Sequence, residues 1–486
     1  MREPAAAVVI VGGGLSGLAA AVHLGRTGVP TIVFDEAGEL GGRAKTERRN
    51  GFHLNYGPHR LYSEGPAVKT LRGLGIEIDG APRGPNGGIA VWRGRQYTLP
   101  VGFCSLLTTG LFDACAKQEI ARLMTSLRRI ELEPLEHVSI GEWVRADLRD
   151  SNVIQVVLAL VRYTTYSDDL NRLSASAALE QMRLSVTSAV LHVHHGWGTL
   201  ITCLQQAASV TGVEIVRGRR VADVEVADGH ARGIRLEDGT EVPALAVILA
   251  TGPQPACRLL AGTVELKEPA SAVRVATLDV ALRGLPNERA VFALGVDEPW
   301  CYSTDSAIAR VAPQRGAVVH LAKYLGRDAK VTPADEQQLE AALDLLQPGW
   351  RDLVEYRRFL PTAVVSHAMV TADAGGFSGR QTGWIPGLAN VFLAGDWVGP
   401  TGQLADAAVA SGIEAARRAE FVLRGGAPWH PLKPSSPAGS MNTVRFSGDC
   451  LTGLPGLPRM RMTSCRRHSC APISTRRRTS TIQDDG

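Results

Sequence analysis

The chain has 486 residues, 45% hydrophobic and 21% charged, with 52 Gly and 27 Pro, which excludes a disordered, collagen-like or coiled-coil protein and predicts two or three globular domains. The formal net charge of +4 is local, because Met441–Gly486 alone holds eight Arg against three Asp, so no nucleic-acid partner is expected. Eight Cys without a CxxC pair, no signal peptide and no apolar run near the roughly 18 residues of a membrane span predict a soluble, cytoplasmic protein without a zinc knuckle.

Ala7–Val11 (AVVIV) reads as a strand buried on both faces. It runs into GGGLSG, where Gly12, Gly14 and Gly17 fit G-x-G-x-x-G and enclose Leu15 and Ser16. Leu15–Arg26 reads as a helix ending at Thr27-Gly28, and Thr31–Phe34 as a second strand with Asp35 at its end. Each part has a physical role. Gly12 permits the tight turn, Gly14 lets backbone approach a pyrophosphate, and Gly17 allows close helix–strand packing. The helix N-terminus attracts phosphate, and Asp35 can accept hydrogen bonds from a ribose. Glu36 is the alternative for that ribose, one residue of register away.

Glu39-Leu-Gly-Gly-Arg43 and Asn55-Tyr-Gly-Pro-His-Arg60 follow. Together, GGGLSGLAAA…VFDEAGELGGR resembles the opening of the flavin-containing amine oxidase superfamily, which includes monoamine oxidases, protoporphyrinogen oxidase and phytoene desaturases. The resemblance implies that Gly42 and Arg43 lie along an FAD diphosphate and that Gly57, Pro58, His59 and Arg60 approach the isoalloxazine. His59 and Arg60 are thereby the candidates for orienting substrate or polarising the ring.

In mid-chain, Gly196-Trp-Gly-Thr-Leu200 precedes a helix, the strand Val213–Val216 and a hairpin marked by Asp228-Gly229 and Asp238-Gly239, both turn signals. In the resembling family the strand with Val221 contacts adenine. Near the end, Val391–Ala394 reads as a buried strand ending in Gly395-Asp396, and a helix over about Ala405–Leu423 presents its N-terminus above the sheet. The resemblance implies that Gly395 and Asp396 hold the ribityl–phosphate region and that the helix start at Gln403 and Leu404 offers backbone N–H groups to the flavin pyrimidine.

The expected fold is therefore α/β: a Rossmann-like FAD-binding domain made of 1–80, 190–262 and 385–425, with an inserted α+β substrate domain from 81–189 and 263–384. Pro100–Ala189 reads as mainly helical, and Val273–Glu355 as sheet with one helix at Pro333–Leu346. Residues 426–486 read as a disordered tail. Arg459–Cys470 can be back-translated so that a shifted frame encodes DADDVLQEAFLR, which resembles an acidic sigma-factor helix. The tail is accordingly expected to be an out-of-frame reading, and resequencing of the locus that finds one continuous frame removes the idea.

His192, His194 and His195 invite a metal, but no acidic or Cys ligand sits nearby and none is expected. No Cys falls in Gly399–Ser411, so FAD should be noncovalent. Tyr163 and Tyr166 are candidates for facing substrate, Trp397 for the flavin neighbourhood, and Trp384 for packing. The reaction expected is hydride removal from a C–C or C–N bond of a small, hydrophobic substrate, on the desaturase side because of Asn-Tyr-Gly-Pro. Amine oxidase or protoporphyrinogen oxidase chemistry is the alternative. A second alternative is flavin-free binding of a protein partner, as in Rab GDP-dissociation inhibitors, which resemble this fold. The apolar Leu99–Phe112 is a candidate for membrane-surface contact.

Overall fold

Residues 7–83, 87–266 and 271–426 are described by the computed structural model. Strands Ala7–Val11 and Thr31–Asp35 flank the helix Leu15–Arg26 and pair in parallel, from Val8 opposite Thr31 to Val11 opposite Phe34. They lie within a seven-stranded sheet with the order Val221–Ala227, His230–Leu236, Glu241–Leu249, Ala7–Val11, Thr31–Asp35, Glu214–Arg217. Val391–Leu393 also pairs, in parallel, with Glu241–Leu249.

β-Branched residues fill these strands because both faces are covered. Val8 and Ile10 face the layer of helices Leu15–Arg26, Trp197–Val210 and Leu404–Leu423. Val9 and Val11 face the opposite core with Leu249, Leu393 and Trp397. Each fully buried Val, Leu or Ile contributes about 1.5–3 kcal/mol. The first and last helices touch closely: a Cβ on Gly412 would sit 2.3 Å from the Ser16 carbonyl oxygen, so only glycine fits there.

A second seven-stranded sheet has the order Val354–Ser366, Val273–Leu282, Ala317–Leu325, Trp300–Thr304, Phe292–Gly295, Ile89–Trp92, Arg95–Thr98. One face packs on the helices Ala114–Ser126, Ser151–Thr165 and Ala175–Thr187 through Val275, Leu294 and Tyr324. The other packs on the expected helix, Pro333–Leu346. The molecule is thus a mixed α/β protein.

Leu99–Phe112, the candidate for membrane-surface contact, divides between core and surface: Leu99, Leu106, Leu111 and Phe112 are buried, and Phe103 and Leu107 are exposed. Among the described residues, no helix is long and apolar enough to cross a membrane. The tail reading, with Cys450, Cys465 and Cys470, lies outside the described residues.

Candidate active site

The glycine turn is built as its spacing requires. Gly12 takes φ +111°, a left-handed backbone that a side chain disfavours, and its amide donates to the Phe34 carbonyl at 2.8 Å. A Cβ on Gly17 would stand 1.9 Å from the Gly12 carbonyl oxygen, whereas one on Gly14 meets no heavy atom within 4 Å. Gly17 is therefore a packing glycine, and Gly14 leaves open space on the face of a cavity.

That cavity, about 770 Å³, runs along the carboxyl ends of the parallel strands. Its wall includes Gly12, Gly14, Leu15, Ser16, Asp35, Glu36, Gly42, Arg43, Pro58, His59, Arg60, Val221, Gly395, Asp396 and Leu404. Three further sequence candidates are absent from this wall. Gly17 packs behind the turn, Gly57 lines a neighbouring cavity instead, and the buried Gln403 side chain donates to the Ala177 carbonyl at 2.9 Å.

At one end of the cavity, Asp35 Oδ2 accepts from the Gly13 amide at 2.7 Å and Oδ1 from the Ala37 amide at 2.8 Å. Each oxygen keeps a lone pair for a ligand hydroxyl. Glu36 is 2.8 Å from Arg220 Nε. In mid-cavity, Arg43 Nη1 donates to Asp396 Oδ2 at 2.9 Å and to the Val365 carbonyl at 2.8 Å. His367 Nδ1 lies 3.0 Å from Asp396 Oδ1. Burial alone would raise the Asp396 pKa, but Arg43 and His367 overcome it and hold the carboxyl well below its usual range. Arg380, its pKa lowered by burial to about 10, donates to the carbonyls of Asp396, Gly399 and Gly402. It clamps the loop that delivers Leu404, a non-glycine residue at φ +56°, the kind of strain that collects at ligand sites.

These features fit a long dinucleotide. There is an open face at Gly14 for a pyrophosphate, a carboxylate at Asp35 for a ribose, a cation beside Asp396, and a helix start at Leu404 whose dipole favours negative charge.

A second cavity, of about 190 Å³, shares Pro58, His59, Arg60 and Trp197 with the first. The His59 and Trp197 rings are 4.7 Å apart. Burial lowers the His59 pKa to about 4. Its Nδ1 and Nε2 both lie 2.9 Å from backbone carbonyls, of Gly57 and Arg43. His59 thus braces the junction and offers no ring nitrogen to a substrate. Arg60, buried, donates to Tyr62 and Tyr166 hydroxyls. Tyr163, Tyr166 and His192 line this second cavity, as do Ile120, Leu123, Met124, Leu127, Val157 and Leu160.

One group here carries no sequence motif. Arg358, Asp279 and His320 stand in register across three adjacent strands. Asp279 accepts from Arg358 and bonds His320 Nδ1. Burial opposes charge on His320, but Asp279 more than compensates and raises its pKa. His320 and Asp279 both line the cavity, and the buried His320 Nε2 has no hydrogen-bond partner. The available signal is a lone Asp and a lone His inside apolar strands, VRVATLDVAL and AVVHLAKYL. Arg380 and His367 are equally unmarked.

The tryptophan expectation is corrected. Trp397 is buried in the core, its Nε1 donating to the Thr251 carbonyl at 3.0 Å, and it lines neither cavity. Trp384 packs under the Arg418 guanidinium at 4.8 Å. His192 lies 3.7 Å from Asp305, and His194 Nδ1 accepts from the Arg310 amide. Among the described residues, no three His, Cys, Asp or Glu gather as metal ligands.

The sequence profile of the flavin containing amine oxidoreductase family matches residues 15–276, more than half of the chain. AofH of Mycobacterium tuberculosis, named as a flavin-containing monoamine oxidase, is 30% identical over 189 residues, covering 35% of this chain and 39% of AofH. The chain therefore matches well under two thirds of that relative's length. Coproporphyrinogen III oxidase of Propionibacterium freudenreichii is 24% identical over 449 residues, covering 74% of this chain and 82% of the relative. Among solved structures, an oxidoreductase from Methanosarcina mazei has a TM-score of 0.67 at 16% identity, covering 84% of this chain and 99% of that one. A Rab GDI from Plasmodium falciparum has a TM-score of 0.56 at 12% identity, covering 87% and 98%. At such identities the likeness is one of fold. The profile match decides the matter: the chain belongs to the flavin containing amine oxidoreductase family, the FAD-dependent oxidoreductases, and FAD is the cofactor that membership implies.

Proposed function

We propose that this protein removes hydride from a C–C or C–N bond of a small, hydrophobic substrate, acting as a dehydrogenase or desaturase. The observation that carries the reading is the meeting of two cavities at Pro58, His59, Arg60 and Trp197. A long cleft that carries Asp35, Arg43 and Asp396 on one side suits a dinucleotide, and a chamber walled by Leu123, Val157 and Leu160 on the other suits a substrate. When bound, FAD supplies the two-electron acceptor for the departing hydride.

The chain's own residues position and enclose. Gly12, Gly14, Leu15 and Ser16 offer the phosphate-facing turn, Asp35 the ribose acceptor, and Val221 the wall of the adenine end. Arg43, Gly395 and Asp396 hold the middle, and Leu404 presents the helix start, a source of positive potential for charge developing on the ring. The cofactor is held noncovalently. The FAD-binding domain is 1–80, 190–262 and 385–425, and 81–189 with 263–384 form the substrate domain. Leu123, Val157 and Leu160 exclude water from the chamber. His320 Nε2, oriented by Asp279, is free to take or give the proton that accompanies dehydrogenation.

The test begins with the visible spectrum of the purified full-length protein, followed by heat release of the chromophore. Stoichiometric free FAD, and anaerobic bleaching by an apolar substrate, are the expected results. A colourless protein that refuses added FAD overturns the reading and favours partner binding of the GDP-dissociation-inhibitor kind. The open face at Gly14 supports the enzyme instead.

A further inference from the structure

Two cations in the substrate chamber have no carboxylate partner among the described residues. Arg60 is 5% exposed; its guanidinium stacks 3.9 Å from the Tyr163 ring centroid, and its hydrogen bonds go to the neutral hydroxyls of Tyr62 and Tyr166. Tyr163 packs against Phe292 at 4.9 Å, and Arg83 stacks on the other side of that contact, 5.2 Å from the Phe292 ring. Arg60, Tyr163, Phe292 and Arg83 thus form a continuous run of contacts along the chamber.

The chamber's two carboxylates are committed elsewhere. Asp279 is held by Arg358 and His320. Asp305 lies against His192 and reaches Arg83 only through space, beyond ion-pair distance. Burying a guanidinium without a counter-charge is costly, and cation–π contacts offset only about 0.5–2 kcal/mol of that cost. A site that keeps a buried Arg60 and a half-buried Arg83 beside an aliphatic wall of Leu123, Val157 and Leu160 is complementary to an anion with an apolar body.

We propose that the substrate is an apolar carboxylic acid, its carboxylate held against Arg83 and Arg60 while its hydrocarbon part fills the chamber toward the His59–Trp197 junction. This rests on the dehydrogenase reading above and deepens it. Guanidinium matches carboxylate geometry, whereas an ammonium brought to this wall is repelled. The charge of the chamber therefore selects against amines, despite the family's name.

The test uses the full-length protein as purified and calorimetric titration with decanoate, decanol and decylamine. Decanoate should bind roughly tenfold or more tighter than decanol, and decylamine weakest. Arg83→Gln should cost decanoate roughly tenfold and leave decanol unchanged, and Arg83→Lys should recover part of the loss. Arg83 lines only the substrate chamber, so its loss should leave flavin content intact. Decylamine binding as tightly as decanoate, or an Arg83→Gln protein with unaltered preference, overturns the proposal. Flavin content, read from the visible spectrum of the same samples, reports separately on the FAD reading.

Discussion

Arg43 and Asp396, 353 residues apart, are joined by a 2.9 Å hydrogen bond in the wall of the first cavity. The bond ties the Gly41-Gly42-Arg43 segment to the Gly395-Asp396 turn, so the cleft closes only when both parts of the fold are in place. Asp396 is 1% exposed, and its carboxylate depends on Arg43 and His367 for compensation. Its lowered pKa contributes stability that is present above the ordinary carboxylate pKa and lost as pH falls through the folded value. Arg43→Met should weaken that depression, cost about 1–3 kcal/mol, and move acid unfolding to higher pH. Acid titration followed by circular dichroism checks this; coincident curves for the two proteins contradict it. Free-flavin fluorescence should also rise in the variant.

Gly14 separates folding from cofactor binding. Its backbone, at φ −81°, suits any residue, and a Cβ there meets nothing within 4 Å. Gly14→Ala should change stability by less than about 1 kcal/mol yet sharply reduce retained FAD, because the methyl enters the pyrophosphate's space. Gly17→Ala should instead unfold the region, since its Cβ would collide with the Gly12 carbonyl. Paired thermal melts and flavin-to-protein absorbance ratios distinguish the two; full FAD in Gly14→Ala would falsify the assignment.

The His320–Asp279 pair predicts a pH signature. His320 has a folded pKa above the usual 6.5, raised by Asp279 against the opposing effect of burial. Its stabilising contribution is therefore full below 6.5 and disappears as pH rises through the folded value. Denaturant midpoints measured between about pH 6 and about pH 9 should fall in the native protein and flatten in His320→Gln. An unchanged slope in the variant means that another group titrates. Turnover, once a substrate is known, should drop in His320→Gln by roughly 10²–10⁴-fold if Nε2 transfers a proton.

Asp406 carries the opposite sign. Burial raises its pKa to about 6, with Glu180 adding to the rise and the Ala67 amide opposing it. The folded protein thus keeps a proton that the unfolded chain releases, and stability declines as pH climbs from the ordinary carboxyl range to about 6. Asp406→Asn keeps the acceptor for Ala67 and removes the buried charge. It should be more stable than the native protein by roughly 1–3 kcal/mol near neutrality and nearly equal to it in acid. Parallel stability curves at both pH values rule this out.

How much is legible follows the distance over which each feature is encoded. The helix Leu15–Arg26 and the strand Ala7–Val11 sit where their residues predict, because β-branched runs, glycine turns and helix stops act within a few residues. Arg43 and Asp396 are visible because each sits in its own short glycine signature. Trp397 misleads for a related reason: a neighbour of Gly-Asp can face the cleft or the core, and the local pattern is the same for both. Gln403 begins the helix with its backbone, as its place in the sequence predicts, and its side-chain bond to Ala177 has no local signal.

By itself, then, the sequence determined the glycine turn, the acid and the helix starts of the first cleft, which are local devices of a few residues each. Only the tertiary structure decided the chemistry of the second chamber. Arg358, Asp279 and His320 become one group through the register of three strands, and Arg60 and Arg83 become one wall through Tyr163 and Phe292. Neither arrangement has a spacing to read along the chain, because strand pairing and ring packing bring together residues whose separation in sequence is arbitrary.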